Sequence, residues 1–576
     1  MKRFLFLLFV VIFLLPSPLF ASEMAPDPQY VVINFSDTFH FLNWTAPEKE
    51  WQLEVKPKAI ERLRRIKSLL TVGTEKRKLA WSTLMEYMNY PMDVPTDNSP
   101  YIVRMKRILE LAETEDLPVF VPLNGVQWWD ELPELWNWWD KDGNQTPGCT
   151  NDDYKNCSFK KLQDPEYRKR FIAGYNPNNK WNVDWENWTT PEKFGIRNWG
   201  GGDIFVAPSP NLALQNNTTL TFRSVQKARY DKLLKMIYEQ VSNWNQNKKG
   251  YLFAGLSIGT EITLNGALIP GDENFKPFGY RAIQDKFCPT TNPECGSTQQ
   301  WSTSEITTKR EAVIHEYVQD FAYDAFIIGF PKQQVYSHVW SEAEPGELRY
   351  MNAIGASITY FSQPGMSIYG KALNPLSLSI LSSTLEKNGY PAWAAPEFAP
   401  LTRDTSNWHT ALQNTLDNSK DPAHLIDIYN ETDILNTPAI PEIKAALQEN
   451  ITDTLSCSSA DAYSLIPNKV TNPSRLLWNS EGSGKTHIII WKKNTIPDTN
   501  NKTETEYEIK DSSNIFYIPQ TFSTGYYYWA IKKEGCDDKH WTLSTPQIFY
   551  VAPKLKDVPL PWWVKLFLQK KSPRFL

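Results

Sequence analysis

The sequence predicts an α/β chain in which a (β/α)8 barrel of parallel strands with long loops is followed by a small all-β sandwich. Three observations carry that prediction. Short continuous apolar runs alternate with helically spaced segments, giving about eight strand–helix units over roughly 420 residues. Two of those runs deliver an acidic residue at or just past their C-terminal ends, where barrel enzymes keep their chemistry. After about Thr454 the helical spacing stops, and short strand-like runs separated by Gly-, Asn- and Asp-rich turns take over.

The first residues read as a leader. Lys2 and Arg3 precede an unbroken apolar run, Phe4–Leu15, then Pro16, Pro18 and the small residues Ala21 and Ser22. That is the pattern of a cleaved signal peptide over 1–21, and the run is short for a membrane span. The mature protein is therefore expected to be secreted or periplasmic.

The barrel is expected over 24–453. Tyr30–Phe39 opens it with a β-branched strand, and Val55–Leu70 follows with helical spacing of Ile60, Leu63, Ile66 and Leu69. Lys78–Tyr87 fits strand or helix, and Ile102–Glu115 reads as a helix. LPVFVPL, Leu117–Leu123, is a buried strand, because a parallel strand covered on both faces is continuously apolar. Residues 140–216 form a long insertion rich in Asn, Gly, Pro and Trp; loops of this length are usually functional or disordered, and the Cys pair and aromatic residues favour an ordered one. Phe222–Trp244 is a helix, and YLFAGLSIGTEITLNG, Tyr251–Gly266, is a strand ending at Glu261.

A second long loop precedes a helix at Thr308–Ile328 and a strand at Gln334–Trp340. Ser357–Phe361 and Met366–Gly370 compete to be the sixth strand. Pro375–Lys387 is helical, PAWAAPEFAP (Pro391–Pro400) is a strand carrying Glu397, and Asn407–Leu416 is a helix. His424–Asn430 and the helix Pro441–Asn450 complete the eighth unit. Beyond it, SRLLWNS, THIIIWK, YEIKD, NIFYIP, GYYYWAIKK and TPQIFYV are the strands expected of a sandwich over 454–553. The tail, 554–576, is apolar and basic. It fits contact with a membrane surface or a partner as well as packing back on the barrel.

Composition narrows the function classes. A net charge of −5 gives no support to nucleic-acid binding. Aromatic residues make up 13% of the chain and include 23 Trp, a bias that suits stacking on sugar rings. Six cysteines fit an oxidising compartment, and nearness favours the pairs Cys149–Cys157 and Cys288–Cys295, leaving Cys457 with Cys536. Zinc fits poorly, since the chain has neither CxxC nor HExxH spacing. No metal or organic cofactor is called for.

Glu261 follows the fourth strand and Glu397 lies at the end of the seventh. Cleaving a glycosidic bond requires a general acid at the leaving oxygen and a second carboxylate on the far side of the sugar. No other acidic pair in the barrel sits as well: Glu186, Glu192 and Glu294 fall in loops, and Glu311 and Glu316 on helix faces. Trp128, Trp129 and Trp340 follow strands, which favours sugar stacking, whereas Trp393 lies inside its strand and reads as core. Asn124, Gln127 and Asn265 are candidates for binding hydroxyls.

Acidic residues at the ends of strands four and seven resemble the clan A (β/α)8 retaining glycoside hydrolases. LSIGTEITLNG is similar to the acid/base strand of that clan and AWAAPEFAP to its nucleophile strand. The resemblance implies Glu261 as acid/base, Glu397 as nucleophile, and Tyr369 as the tyrosine that hydrogen-bonds the nucleophile. The clan carries Asn directly before the acid/base Glu; this chain has Thr260 there. In the C-terminal segment, TGYYYWAIKK followed by WTLSTPQIFYV resembles a fibronectin type III (immunoglobulin-like) module. The function these readings imply is an exported glycoside hydrolase acting on β-linked oligo- or polysaccharide. The alternatives are an inverting hydrolase with Glu397 as base, and a carbohydrate-binding or adhesion protein without catalysis.

Overall fold

In the computed structural model the described residues are 28–88, 95–125, 222–262, 302–341, 353–389, 391–400, 405–418, 421–435 and 437–448. Short strands within 173–205, 267–276 and 463–551 are described as well. Six cysteines, residues 1–27 and the tail beyond 551 lie outside them, as do Gln127, Trp128, Trp129 and Asn265.

Eight parallel strands close into a barrel: β1 (Gln29–Asn34), β2 (Arg77–Ser82), β3 (Val119–Asn124), β4 (Phe253–Ile262), β5 (Val335–Val339), β6 (Gly365–Ile368), β7 (Trp393–Phe398) and β8 (Ala423–Ile428). Each pairs with its neighbours in the chain, and β8 pairs with β1 in the register Tyr30↔Leu425 to Ile33↔Ile428. The longer helices among the described residues are α1 (Lys56–Leu70), α2 (Pro100–Glu115), α3 (Phe222–Gln246), α4 (Thr303–Ile328), α5 (Ser379–Lys387), α6 (Thr405–Leu416) and α7 (Ala439–Gln448).

Inside the barrel a compact cluster takes Tyr30, Val32, Ala80, Phe120, Ala254, Tyr336, Ala394 and Leu425 from seven of the eight strands. Three alanines leave the room that Tyr30, Phe120 and Tyr336 fill, the large-against-small packing a barrel interior needs. Outward-facing side chains join a larger core with the helices; α1, for example, buries Ala59, Leu63, Ile66 and Leu70 at helical spacing.

The ends of the closing seam are polar. At the bottom, buried Arg77 binds Gln29 Oε1, the Ala446 carbonyl at 2.8 Å and the Asp417 carboxylate. At the top, Asp427 accepts from Ser82 Oγ at 2.8 Å and from Asn34 Nδ2 at 3.3 Å.

One boundary differs from the sequence reading, and the choice it left open for the sixth strand is resolved. α4 starts at Thr303 rather than Thr308, because Ser302 and Glu305 form a reciprocal capping box. Met366–Gly370, not Ser357–Phe361, supplies the sixth strand. A Cβ at Gly365 would lie 2.0 Å from the Ser337 carbonyl, so only glycine lets β6 come this close to β5. The crossover between β5 and β6 has, among its described residues, a single 3-10 turn at Ile354–Ser357 where the other units have a helix.

The C-terminal segment forms mainly antiparallel sheets, with Val470–Thr471 paired in parallel to Gln547–Val551. The larger centres on Thr486–Lys492 paired with Gly525–Glu534, flanked by Thr505–Ile509 and Gln547–Val551. Both of its faces are apolar. Ile488, Ile490, Tyr527, Trp529 and Phe549 pack on one side with Leu476 of a three-stranded sheet. Ile489, Trp491, Tyr528 and Ile548 belong to the barrel's own outer core. Trp491 packs tilted against Tyr360 at 4.6 Å, and Tyr528 meets Phe361 at 5.8 Å and Tyr323 of α4 at 6.0 Å between centroids.

Trp491 is buried at this junction, so Trp491→Ala should cost about 3–5 kcal/mol. Urea unfolding of the full chain measures this. A loss below about 1 kcal/mol would mean that the junction collapses without penalty.

Candidate active site

Both acidic candidates sit where strand register breaks. Between the pairs Ile258↔Ser337 and Ile262↔Val339, four residues of β4 advance against two of β5. The extra residues bulge, with Gly259 at φ +67° and Glu261 itself at φ +48°. A bulge re-aims side chains at a barrel rim, and a left-handed non-glycine residue is strained by about 1–3 kcal/mol. Glu261 is thus held in a conformation that its own backbone disfavours. On β7 the register slips between Ala395↔Ile426 and Phe398↔Ile428, and Glu397 lies inside that slip, opposite Ser367 of β6.

Tyr369, immediately after β6, joins the two. Its hydroxyl donates to Glu261 Oε1 at 3.1 Å and is also within hydrogen-bonding reach of Glu397. Burial, then the charge of Glu261 and that of Glu397, push the phenol well above its ordinary pKa, so it remains a donor. Trp340, just past β5, packs against Tyr369 with centroids 6.1 Å apart. Asn124 ends β3 fully buried, and its carbonyl accepts from Tyr87 N–H at 3.2 Å. Trp393 is buried in β7 and donates to the Asp421 carbonyl at 3.1 Å. Thr260 is buried beside Glu261, and its hydroxyl has no hydrogen-bond partner among the described residues.

Sequence reasoning missed three groups here. His338 points into the barrel from β5, buried, with Nε2 at 2.9 Å from Ser367 Oγ and 3.8 Å from Glu397 Oε2. Burial pushes its pKa down to about 3. The available signal was a lone histidine inside QVYSHVW, on the inward parity of Tyr336. Ser367 was hidden inside a strand whose identity the sequence left open. Asp427 was hidden inside HLIDIYN; burial pushes its carboxyl up to about 7, against the lowering effect of Ser82 and Asn34.

Among the described residues, no group of three or more His, Cys, Asp and Glu could hold a metal ion. No helix among them is long and apolar enough to cross a membrane.

No protein-family model matches the chain, and comparison with curated proteins finds no match. Among solved structures, it is similar to a GH5-4 broad specificity endoglucanase from an uncultured bacterium. That likeness has 10% identity over 73% of this chain and 94% of the other, with a TM-score of 0.36. A GH5_18 protein from Streptomyces cattleya, in complex with Manb1-4GlcNAc, is 8% identical over 77% and 84%, with a TM-score of 0.36. A glycoside hydrolase family 5 enzyme from Prevotella bryantii B14 is 10% identical over 73% and 95%, with a TM-score of 0.32.

Asp427 yields a pH test. A carboxyl whose pKa is raised by folding stabilises the fold only while protonated, so stability falls as pH rises from about 4 to about 7 and is level above. Asp427→Asn keeps an acceptor for Asn34 and offers an N–H to Ser82 Oγ, which then accepts rather than donates. The variant should gain on the parent by up to about 4 kcal/mol between pH 4 and pH 8. Thermal unfolding across that range checks it; a stability difference independent of pH would refute the shift.

Proposed function

We propose that this chain is an exported glycoside hydrolase that cleaves β-linked oligo- or polysaccharide with retention of configuration. The observation that carries the proposal is the Tyr369 hydroxyl shared by Glu261 and Glu397. Two carboxylates within reach of one phenol oxygen have their nearest oxygens no more than about 6 Å apart. That limit admits the separation of about 5–5.5 Å used by retaining enzymes and stops short of the 6.5–9.5 Å or so of inverting ones.

In this reading Glu261 protonates the leaving oxygen while Glu397 attacks the anomeric carbon. The C–O bond to the leaving group breaks as the bond to Glu397 forms. Water then attacks the glycosyl-enzyme, Glu261 takes its proton, and Glu397 is released. Tyr369 has one proton for two carboxylates, so it can shift from Glu261 toward Glu397 as their charges change. Trp340 offers a ring face beside Tyr369.

A cavity of about 890 Å³ lies on the β1, β2 and β8 side of the same face. Ser36, Leu84 and Tyr429 line it next to the barrel, and Phe41 and Arg65 lie farther out. Phe41 is 85% exposed, an apolar face of the kind on which a sugar ring stacks. We assign this cavity to the distal sugars of a longer chain. The leader and six cysteines support export with disulfides, and the C-terminal sheets support a fibronectin type III-like sandwich as the accessory module.

Glu261→Gln and Glu397→Gln should each lower turnover by about 10²–10⁴-fold without loss of fold. Near-parental turnover in either would end the assignment. Proton NMR of the first product should show retained anomeric configuration; an inverted product would make Glu397 a base instead of a nucleophile. Phe41→Ala should raise KM for oligosaccharides several-fold and leave short aryl glycosides unaffected, and an equal effect on both would remove the cavity from substrate binding.

A further inference from the structure

We propose that His338 is a positioning residue for Glu397, with its Nε2–H, placed between Ser367 Oγ and the carboxylate, setting the direction in which the attacking oxygen points. This rests on the reading of Glu397 as the nucleophile. It goes beyond that reading because it assigns a task, a tautomer and a partner to a side chain outside the acid pair.

The geometry decides the tautomer. A neutral imidazole carries one N–H. Nε2 has two oxygens before it, Ser367 Oγ at 2.9 Å and Glu397 Oε2 at 3.8 Å. Nδ1 is buried and has no hydrogen-bond partner among the described residues. A proton on Nδ1 would bury an unsatisfied donor at a cost of about 1–3 kcal/mol, and it would turn the Nε2 lone pair toward an acceptor-only carboxylate. Placing the proton on Nε2 gives the N–H an acceptor and keeps the lone pair away from the carboxylate, leaving only an unpartnered acceptor at Nδ1.

At 3.8 Å the contact to Glu397 is longer than a hydrogen bond. It acts instead as an N–H dipole aimed at an anion, and Ser367 fixes the ring that carries it. Ser367 is the register partner of Glu397 in the β6–β7 ladder. Imidazole, hydroxyl and carboxylate therefore come from three consecutive strands and cannot shift independently.

The ring stays uncharged because burial holds its pKa near 3. Among the described residues, the titratable groups at this end of the neighbouring strands are Glu397 from β7, Glu261 from β4 and Tyr369 after β6. An imidazolium in their midst would pair with Glu397 and quench its nucleophilicity. A neutral dipole orients the carboxylate and leaves its charge in place.

The test uses the full-length protein with an aryl glycoside. His338→Ala should lower kcat by about 10- to 100-fold with KM nearly unchanged, as expected when an attacking group is misplaced by about 1 Å. It should also move the acidic limb of kcat/KM upward by about 0.5–1 pH unit, because a carboxylate that loses a donor is harder to ionise. His338→Gln, which keeps an N–H near the Nε2 position, should recover most of the rate and return the limb toward the parental value. Thermal unfolding of both variants shows whether they are folded.

An unmoved limb in folded His338→Ala, or a Gln variant as impaired as Ala, would overturn the proposal. If Glu397→Gln were fully active, the reading beneath it would fall instead. Loss of activity in Glu397→Gln with an unaltered His338→Ala would remove only His338.

Discussion

The architecture depends on closing one ladder. β1 must pair with β8 although Asn34 and Asp427 are 393 residues apart in sequence, and no local preference brings them together. Continuous apolar strands specify register weakly, since a slip of one residue still presents apolar side chains to both faces. Polar groups at the two ends of the seam supply the missing specificity. Asp427 finds partners only if Asn34 and Ser82 lie level with it, and Arg77 only if Gln29 and Asp417 do. Burying these groups costs desolvation, visible in the raised pKa of Asp427. The cost falls on the one junction where a wrong register would displace every residue at the mouth.

With the ring closed, strands four and seven stand across the mouth from each other, and their bulges take over. A regular strand would turn alternate residues inward at fixed height. The slips on β4 and β7 break that rule, lifting Glu261 and Glu397 out of the ordinary alternation toward Tyr369. The positive φ of Glu261 is the local cost, and the packed ring holds it in place. Strain at this residue and shared contact at Tyr369 are therefore two consequences of the same bulged rim.

This explains what could be read beforehand. The barrel strands were legible as apolar runs because burial on both faces removes alternation, and the helices because burial on one face imposes a period. Glu261 and Glu397 were legible because an acid at the end of such a run is conspicuous. The relation between neighbouring strands was not legible. His338 and Ser367 are adjacent only through the β5–β6–β7 register, which no single segment encodes. The sixth strand stayed open between two segments for a similar reason: Gly365 matters for a carbonyl on another strand, and a short 3-10 turn leaves no periodic trace. In THIIIWK and GYYYWAIKK apolar residues occupy both faces, so the strands could be located, but the face that meets the barrel could not.

The mouth that results has an uneven distribution of charge. Its two carboxylates have neutral groups beside them: the Tyr369 phenol, which donates to Glu261, and the His338 imidazole, 3.8 Å from Glu397 and hydrogen-bonded to Ser367. Burial keeps the imidazole neutral by opposing its protonation, and burial together with the adjacent carboxylates keeps the phenol from ionising. Groups that do not change charge in the working range give a fixed electrostatic frame around the two carboxylates, one that needs no reorganisation when charge moves nearby. The same burial that makes the barrel a solid core thus also preorganises its rim, so the packing that stabilises the fold and the polarity that serves the site have one origin.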